Sequence, residues 1–242
     1  MARWATKKTF EIQAFMKIRK ALILIFLLSA GLSFGQQQYY RVRADFSIKE
    51  KHSSGQSNLT MGSVYYDKFM KRIVYNVTFP EKQIWLFYDT NMYKITGNKV
   101  DRKPMIPGYV DFSIFNLSLN NNLTNYGLQK SVYSIKSTVK EGDMVISTWV
   151  PKEEYKKLLG EVKISIKEGK LYGVLFYNAK GRLMGKQIFN SYFKVRGFEM
   201  PTEIIYFYYN EDGSEIHQII TFKKIKVNDF AEADFYNYPI PQ

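Results

Sequence analysis

The chain has 242 residues, 45% of them hydrophobic and 17% aromatic, with 35 Lys and Arg against 22 Asp and Glu for a formal net charge of +13. It contains no cysteine, which excludes a disulfide framework, a thiolate metal site, a cysteine nucleophile and the thioether anchor of a lipoprotein. The hydrophobic share excludes a disordered chain, and the length suits one domain with a sizeable core.

Met16 to Gly35 (MKIRKALILIFLLSAGLSFG) reads as a secretory signal peptide. Lys17, Arg19 and Lys20 form a basic leader, Ala21 to Leu28 an apolar run, and Ser33-Phe34-Gly35 places small residues where a signal peptidase reads. Residues 1–35 are therefore expected to be an N-terminal extension and signal peptide, cleaved near Gly35, leaving 36–242 as the exported domain. The leader holds six of the basic residues and one acid, so the domain carries a net charge of +8. A basic surface suits anionic headgroups or an acidic partner, and export argues against nucleic acid.

Period-two alternation dominates the exported domain. Tyr40 to Lys49 sets Tyr40, Val42, Ala44, Phe46 and Ile48 against polar neighbours, as a half-buried strand requires. Lys51 to Ser57 reads as a turn, then Leu59–Tyr66 and Arg72–Phe79 as strands, the second stopped by Pro80, which cannot donate to a ladder. Gln83–Tyr88 and Met92–Ile95 come next, around a turn at Asp89-Thr90-Asn91.

The pattern changes between Pro104 and Ser137. Phe112, Phe115, Leu119 and Leu123 recur at spacings of three and four, which predicts an amphipathic helix with Asp111 as its N-cap. Strands resume at Asp143–Val150, Val162–Lys167, Leu171–Tyr177, Leu183–Lys194, Thr202–Tyr209 and Glu215–Val227, linked by glycine-bearing turns at 167–170, 178–181 and 210–215. Pro151 to Leu159 adds one helical turn. The expected architecture is mainly β: a single antiparallel curled sheet or unclosed barrel of about eleven strands, with a helical segment lying across one face.

Catalytic chemistry finds little support. His52 and His217 are the only histidines and neither has a partner at metal-ligand spacing. No nucleophile elbow, phosphate loop or zinc-protease motif appears. The acids Glu153-Glu154, Glu211-Asp212 and Asp229 fall in polar turns, where carboxylates are solvated. The N-x-S/T triplets at Asn58, Asn76, Asn116 and Asn122 would matter only in a eukaryotic secretory pathway. No enzyme, cofactor or metal is expected. The aromatic inner face fits either a packed core or a pocket for an apolar ligand.

Several stretches resemble the periplasmic outer-membrane lipoprotein carrier proteins, the LolA-like family. These are ADFSIKE at Ala44–Glu50, the strand opening Gly62-Ser-Val-Tyr-Tyr, RIVYNVTFPEKQ at Arg72–Gln83, VKISIKEGKLYGVLFYNAKGRLMGKQIFNSY, and FKKIKVND at Phe222–Asp229. The resemblance implies an unclosed barrel with a helical lid over a hydrophobic cavity. It implies a chaperone that takes acylated lipoproteins from an inner-membrane release complex and hands them to an outer-membrane acceptor, as a monomer in the periplasm with transient membrane-surface contact. By position, the cavity would be lined by Val42, Ala44, Phe46, Ile48, Val64, Tyr66, Ile73, Tyr75 and Val77. Lid residues would be Phe112, Phe115 and Leu119. The family fastens its lid with an arginine before a proline at the end of its second strand, and the matching positions here are Lys68 and Phe69. The family's N-terminal helix has no counterpart in Gln36–Tyr39, so residues 111–137 would supply most of the lid. A charge at Phe46 or Tyr75 is expected to abolish acyl binding while sparing the fold. The alternative on the same scaffold is a non-enzymatic periplasmic lipid-binding or envelope-stress interaction module.

Overall fold

A computed structural model describes residues 38–106 and 108–241; the signal-peptide expectation for 1–35 lies outside them. Among the described residues the strands are β1 (Arg41–His52), β2 (Ser57–Asp67), β3 (Arg72–Phe79), β4 (Gln83–Tyr88), β5 (Asn91–Thr96), β6 (Lys99–Pro104), β7 (Tyr133–Glu141), β8 (Met144–Pro151), β9 (Val162–Lys167), β10 (Lys170–Tyr177), β11 (Leu183–Val195), β12 (Phe198–Tyr209) and β13 (Glu215–Val227). Two short helices accompany them, α1 (Ile114–Leu119) and α2 (Ala233–Tyr236).

All 13 strands form one antiparallel sheet in the order β6-β5-β4-β3-β2-β1-β13-β12-β11-β10-β9-β8-β7. The chain thus starts mid-sheet at β1, meanders out to one edge at β6, crosses to the opposite edge at β7, and meanders back until β13 pairs with β1. The long β1–β13 ladder, from Val42 opposite Val227 to His52 opposite Ile216, joins the two halves. β6 and β7 remain the edges, so the sheet is curled and unclosed, as the sequence implies.

Two strands escape the sequence reading, which expects about eleven. They are the edges β6 and β7. Every residue of β6 (KVDRKP) is exposed, as are all but Tyr133 in β7. An edge strand buries neither face and is protected by charge rather than marked by alternation, so its pattern resembles a loop.

The crossing segment, residues 108–132, lies on the inner face of the sheet. Its Val110, Ile114, Phe115, Leu117, Leu119, Leu123, Tyr126 and Leu128 share one apolar core with Val42, Ala44 and Phe46 of β1, Val64 and Tyr66 of β2, Ile73 and Val77 of β3, and inward residues of β8–β13. The predicted helix is present but brief, at six residues. Its N-cap is Ser113 rather than Asp111: the Asn116 N–H donates to Ser113 Oγ at 3.3 Å, while Asp111 contributes only its backbone carbonyl, which accepts from Asn116 Nδ2 at 2.7 Å. The asparagine run then ends the helix, with Asn120 as C-cap and Asn121 at φ 53°. A helix this short is unstable by itself, so packing on the sheet holds it. The segment ends earlier than expected, because Tyr133 already begins β7.

A second, smaller cluster sits on the outer face. Tyr65, Val74, Leu86 and Tyr93, one from each of β2–β5, are covered by Tyr236 and flanked by Phe235, Tyr238 and Ile240 of the C-terminal tail. Tyr65 stacks on Phe235 at 4.7 Å and meets Tyr236 edge-on at 5.4 Å.

Candidate functional site

The inner face carries aligned rows of apolar side chains, because antiparallel register brings like-facing residues together. Val42 lies opposite Tyr66, which lies opposite Ile73, which lies opposite Phe87; Ala44, Val64, Tyr75 and Trp85 form the next row. Phe46 lies opposite Gly62 and Phe222. The nine residues expected to line a cavity therefore all face the lid side of the sheet. Seven of them, Val42, Ala44, Phe46, Val64, Tyr66, Ile73 and Val77, are fully buried. Ile48 and Tyr75 are only partly so.

Two side-chain hydrogen bonds pin the crossing segment to the two halves of the sheet. Tyr66 Oη on β2 donates to Asn116 Oδ1 in α1 at 2.8 Å, and Tyr126 Oη donates to Gln187 Oε1 on β11 at 2.9 Å. Phe115 fills the space between, stacked on Tyr66 at 6.0 Å and edge-on to Phe222 at 5.3 Å. Tyr126 packs on Phe176 at 5.8 Å and stacks on Phe112 at 6.3 Å. Of the expected lid residues, Phe115 and Leu119 are buried against the sheet and Phe112 partly so. The Lys68 backbone N–H donates to the carbonyl of Tyr40, the residue before β1, at 2.9 Å. The cation that faces the lid is Lys71, 3.8 Å from Asp111 with both side chains largely exposed.

Beyond this floor the inner face carries further aromatic side chains that are only partly buried. Tyr75 meets Phe46 edge-on at 4.9 Å and lies 5.7 Å from Phe87. Phe87 stacks under Tyr109 of the crossing segment at 5.3 Å. Tyr206 and Tyr208, successive inward residues of β12, stack on each other at 5.8 Å. Tyr109 and Tyr208 keep 49% and 43% of their surface accessible, yet desolvation raises both phenol pKa values, that of Tyr208 to about 12.

Burial raises the Tyr75, Tyr126 and Tyr206 phenols as well. Tyr206 is raised further by the phenols of Tyr126, Tyr208, Tyr109 and Tyr75. Ile48, Trp85, Met92, Phe176 and Ile220, all partly accessible on the same face, complete an apolar wall. Such a wall, with neutral donors and acceptors at intervals, suits a long apolar ligand with a polar head. Among the described residues no three or more His, Asp or Glu side chains converge on a metal site.

Sequence reasoning missed Tyr109, Tyr206 and Tyr208. Strand alternation carries a signal for the β12 pair, since Ile204, Tyr206 and Tyr208 share one parity. Tyr109 falls in a turn, where no periodicity marks it. An open hollow of about 610 Å³ lies among β7–β10. Its lysines are engaged, Lys136 with Glu161 at 2.8 Å, Lys156 with Glu153 at 2.6 Å and Lys163 over the Tyr177 ring at 5.7 Å, and Val150, Pro151, Leu159 and Ala179 supply its apolar wall.

No family model matches the sequence, and no curated protein matches it. Solved structures do match in shape. A LolA superfamily protein from Nitrosomonas europaea aligns at a TM-score of 0.53 with 14% identity, over 84% of this chain and 91% of that one. A DUF1329 family protein from Desulfovibrio piger aligns at 0.56 with 15% identity, over 84% and 91%. A candidate outer membrane lipoprotein-sorting protein domain from Vibrio parahaemolyticus aligns at 0.54 with 12% identity, over 82% and 90%. The likeness is one of fold: the curled, unclosed 13-stranded sheet is similar to the structures of the LolA superfamily protein and the lipoprotein-sorting domain.

Proposed function

We propose that the partly accessible tyrosines of the inner face line a hollow, and that this protein is a periplasmic carrier that receives the acyl chains of lipoproteins there and shuttles them from the inner to the outer membrane. The observation that carries the reading is the row of aromatics on the inner face, Tyr75, Phe87, Tyr109, Tyr206 and Tyr208, all but Phe87 partly accessible, beside a crossing segment tied to the sheet by the Tyr66–Asn116 and Tyr126–Gln187 hydrogen bonds. The inner and outer membrane partners, the periplasmic setting and removal of residues 1–35 belong to the same proposal, supported by the leader's composition and the likeness in fold.

A buried acyl methylene contributes about 0.8 kcal/mol, so one palmitoyl chain supplies on the order of 10 kcal/mol. In this reading cargo displaces part of the crossing segment, and Val42, Ala44, Phe46, Val64, Tyr66, Ile73 and Val77 become the floor of a cavity continuous with Ile48 and Tyr75. Lid fastening falls to Tyr66 and Tyr126, with Lys71 and Asp111 as a weak surface contact. No side chain in the hollow is asked to perform chemistry.

The alternative, an interaction module on the same scaffold, draws on the dense packing of the floor, where Val42, Ala44 and Val64 have no accessible surface. Native mass spectrometry with lipid extraction, on the cell-processed protein, separates the two. Bound acyl species that disappear in Tyr208→Glu support the carrier. An apo mass that ignores added triacylated lipopeptide supports the interaction module.

A further inference from the structure

The β2–β3 turn, Lys68-Phe69-Met70-Lys71, carries its two apolar side chains into solvent: Phe69 is 73% exposed and Met70 41%. Phe230, from the stretch between β13 and α2, joins them at 64% exposure. Tyr40 bridges the group, 5.5 Å from the Phe69 ring and 6.2 Å from that of Phe230. These aromatics come from three separate parts of the chain, so their convergence is a property of the fold.

The turn is also held firmly. Asp67, only 2% exposed, accepts the backbone N–H of Phe69 at 2.8 Å and of Met70 at 3.0 Å through Oδ1. Its Oδ2 accepts from Arg41 Nε at 2.5 Å. The Arg41 guanidinium in turn lies 5.8 Å from the Tyr40 ring centre, 5.7 Å from Phe230 and 4.8 Å from Tyr236. A buried, charge-assisted staple beneath a solvent-facing Phe-Met pair fixes the exposed apolar tip in place, where a flexible turn would fold its aromatic back onto the protein.

The charge around the tip is positive. Lys68 and Lys71 flank it, Lys71 with 72% of its side chain exposed, and the facing acid is Asp111, at 3.8 Å. Two other acids nearby, Asp229 and Glu232, are already paired with Lys226 and Arg43. Aromatic and thioether side chains at a projecting tip, bracketed by lysines, are the composition that partitions into a headgroup layer.

We propose that the Phe69-Met70 tip and Phe230 form a docking surface for an anionic lipid bilayer, with Lys68 and Lys71 contacting headgroup phosphates. This surface is distinct from the tyrosine-lined hollow and stands whatever the hollow binds. Each lysine drawn to an anionic surface strengthens binding about fivefold, so affinity follows the charge of the membrane.

Vesicle flotation tests it, with the cell-processed protein and vesicles of phosphatidylethanolamine and phosphatidylglycerol or of phosphatidylcholine alone. The protein is expected to float with the anionic vesicles and weakly with the neutral ones. Phe69→Ser combined with Phe230→Ser should weaken vesicle binding about tenfold, and Lys68→Glu combined with Lys71→Glu at least about 25-fold, while both leave the thermal midpoint unchanged. Leu158→Ser, at an exposed apolar site on the far half of the sheet, should float normally, and so should Tyr208→Glu, which separates surface docking from uptake of lipid into the hollow. A wild-type protein that stays with the soluble fraction, or double variants that float as well as wild type, would overturn the proposal.

Discussion

Tyr66 and Asn116, 50 residues apart in sequence, share a hydrogen bond of 2.8 Å that ties the middle of the sheet to the helix lying across it. Tyr126 and Gln187 repeat the device on the other half of the sheet at 2.9 Å. Each tyrosine also packs its ring on aromatic neighbours, Tyr66 on Phe115 and Tyr126 on Phe176. Removing a hydroxyl therefore loosens the lid without emptying the core.

Tyr66→Phe and Tyr126→Phe are each expected to cost about 1 kcal/mol of stability. In hydrogen exchange, amides of 114–119 should open faster in Tyr66→Phe, while those of β9 and β10 keep wild-type protection. If exchange rises equally across the sheet, the hydroxyls stabilise the whole fold rather than the lid.

The choice of charge probe depends on burial. Phe46 is 4% exposed and packed at the centre of the floor, so Phe46→Glu would bury an unpaired carboxylate and is expected to cost several kcal/mol and unfold much of the protein. Such a variant does not separate binding from folding, which sets it apart from the expectation attached to the family resemblance. Tyr208→Glu and Tyr109→Glu place the charge at positions with accessible surface. Both should retain the wild-type circular dichroism spectrum and thermal midpoint to within a few degrees.

Alkaline pH should destabilise the protein in a defined window. The folded-state pKa values of Tyr75, Tyr109, Tyr126, Tyr206 and Tyr208 lie above the ordinary phenol value because burial disfavours the phenolate. The stability they contribute is fully present below the unfolded value of about 10 and is lost as pH rises through the folded values, with Tyr208 titrating at about 12. Denaturation midpoints should thus fall from about pH 10 upward. Tyr206→Phe, which removes one such phenol, should fall less steeply over the same range; an identical slope would argue that Tyr206 is solvated.

Gly62 faces Phe46 across the β1–β2 ladder, at the point where β2 and β3 slip register. A Cβ there would stand 2.0 Å from the Asn76 carbonyl oxygen, a backbone atom that cannot move alone. Gly62→Ala is expected to cost about 3 kcal/mol in denaturant titration. A loss within about 0.5 kcal/mol, the ordinary scatter of surface changes, would contradict the tight packing of the floor.

The parts of this molecule legible in sequence are those where one face is wet. β1 advertises itself because Arg41, Arg43 and Asp45 alternate with Val42, Ala44 and Phe46, and the same parity names the floor of the inner face. The edge strands β6 and β7 are illegible because neither face is buried, and the crossing helix is overextended because Phe112 and Leu123 obey helical spacing while packing from turns on either side of it. Tyr109 joins the hollow through a turn conformation, and Tyr126 reaches Gln187 from 61 residues away. Contacts of that kind depend on the curl of the finished sheet and leave no local pattern. The Asp67 staple is similar: an aspartate before a lysine gives no hint that it ends up buried under Arg41 and the Phe69-Met70 backbone.

The most direct measurement is binding of a triacylated lipopeptide, monitored by displacement of a fluorescent fatty acid from the cell-processed protein, for wild type and Tyr208→Glu side by side. Saturable displacement by wild type, weakened at least tenfold in a Tyr208→Glu protein of unchanged fold, is expected for a carrier whose cargo lies among Tyr75, Tyr109, Tyr206 and Tyr208. Equal binding by both proteins, or none by wild type, would contradict it.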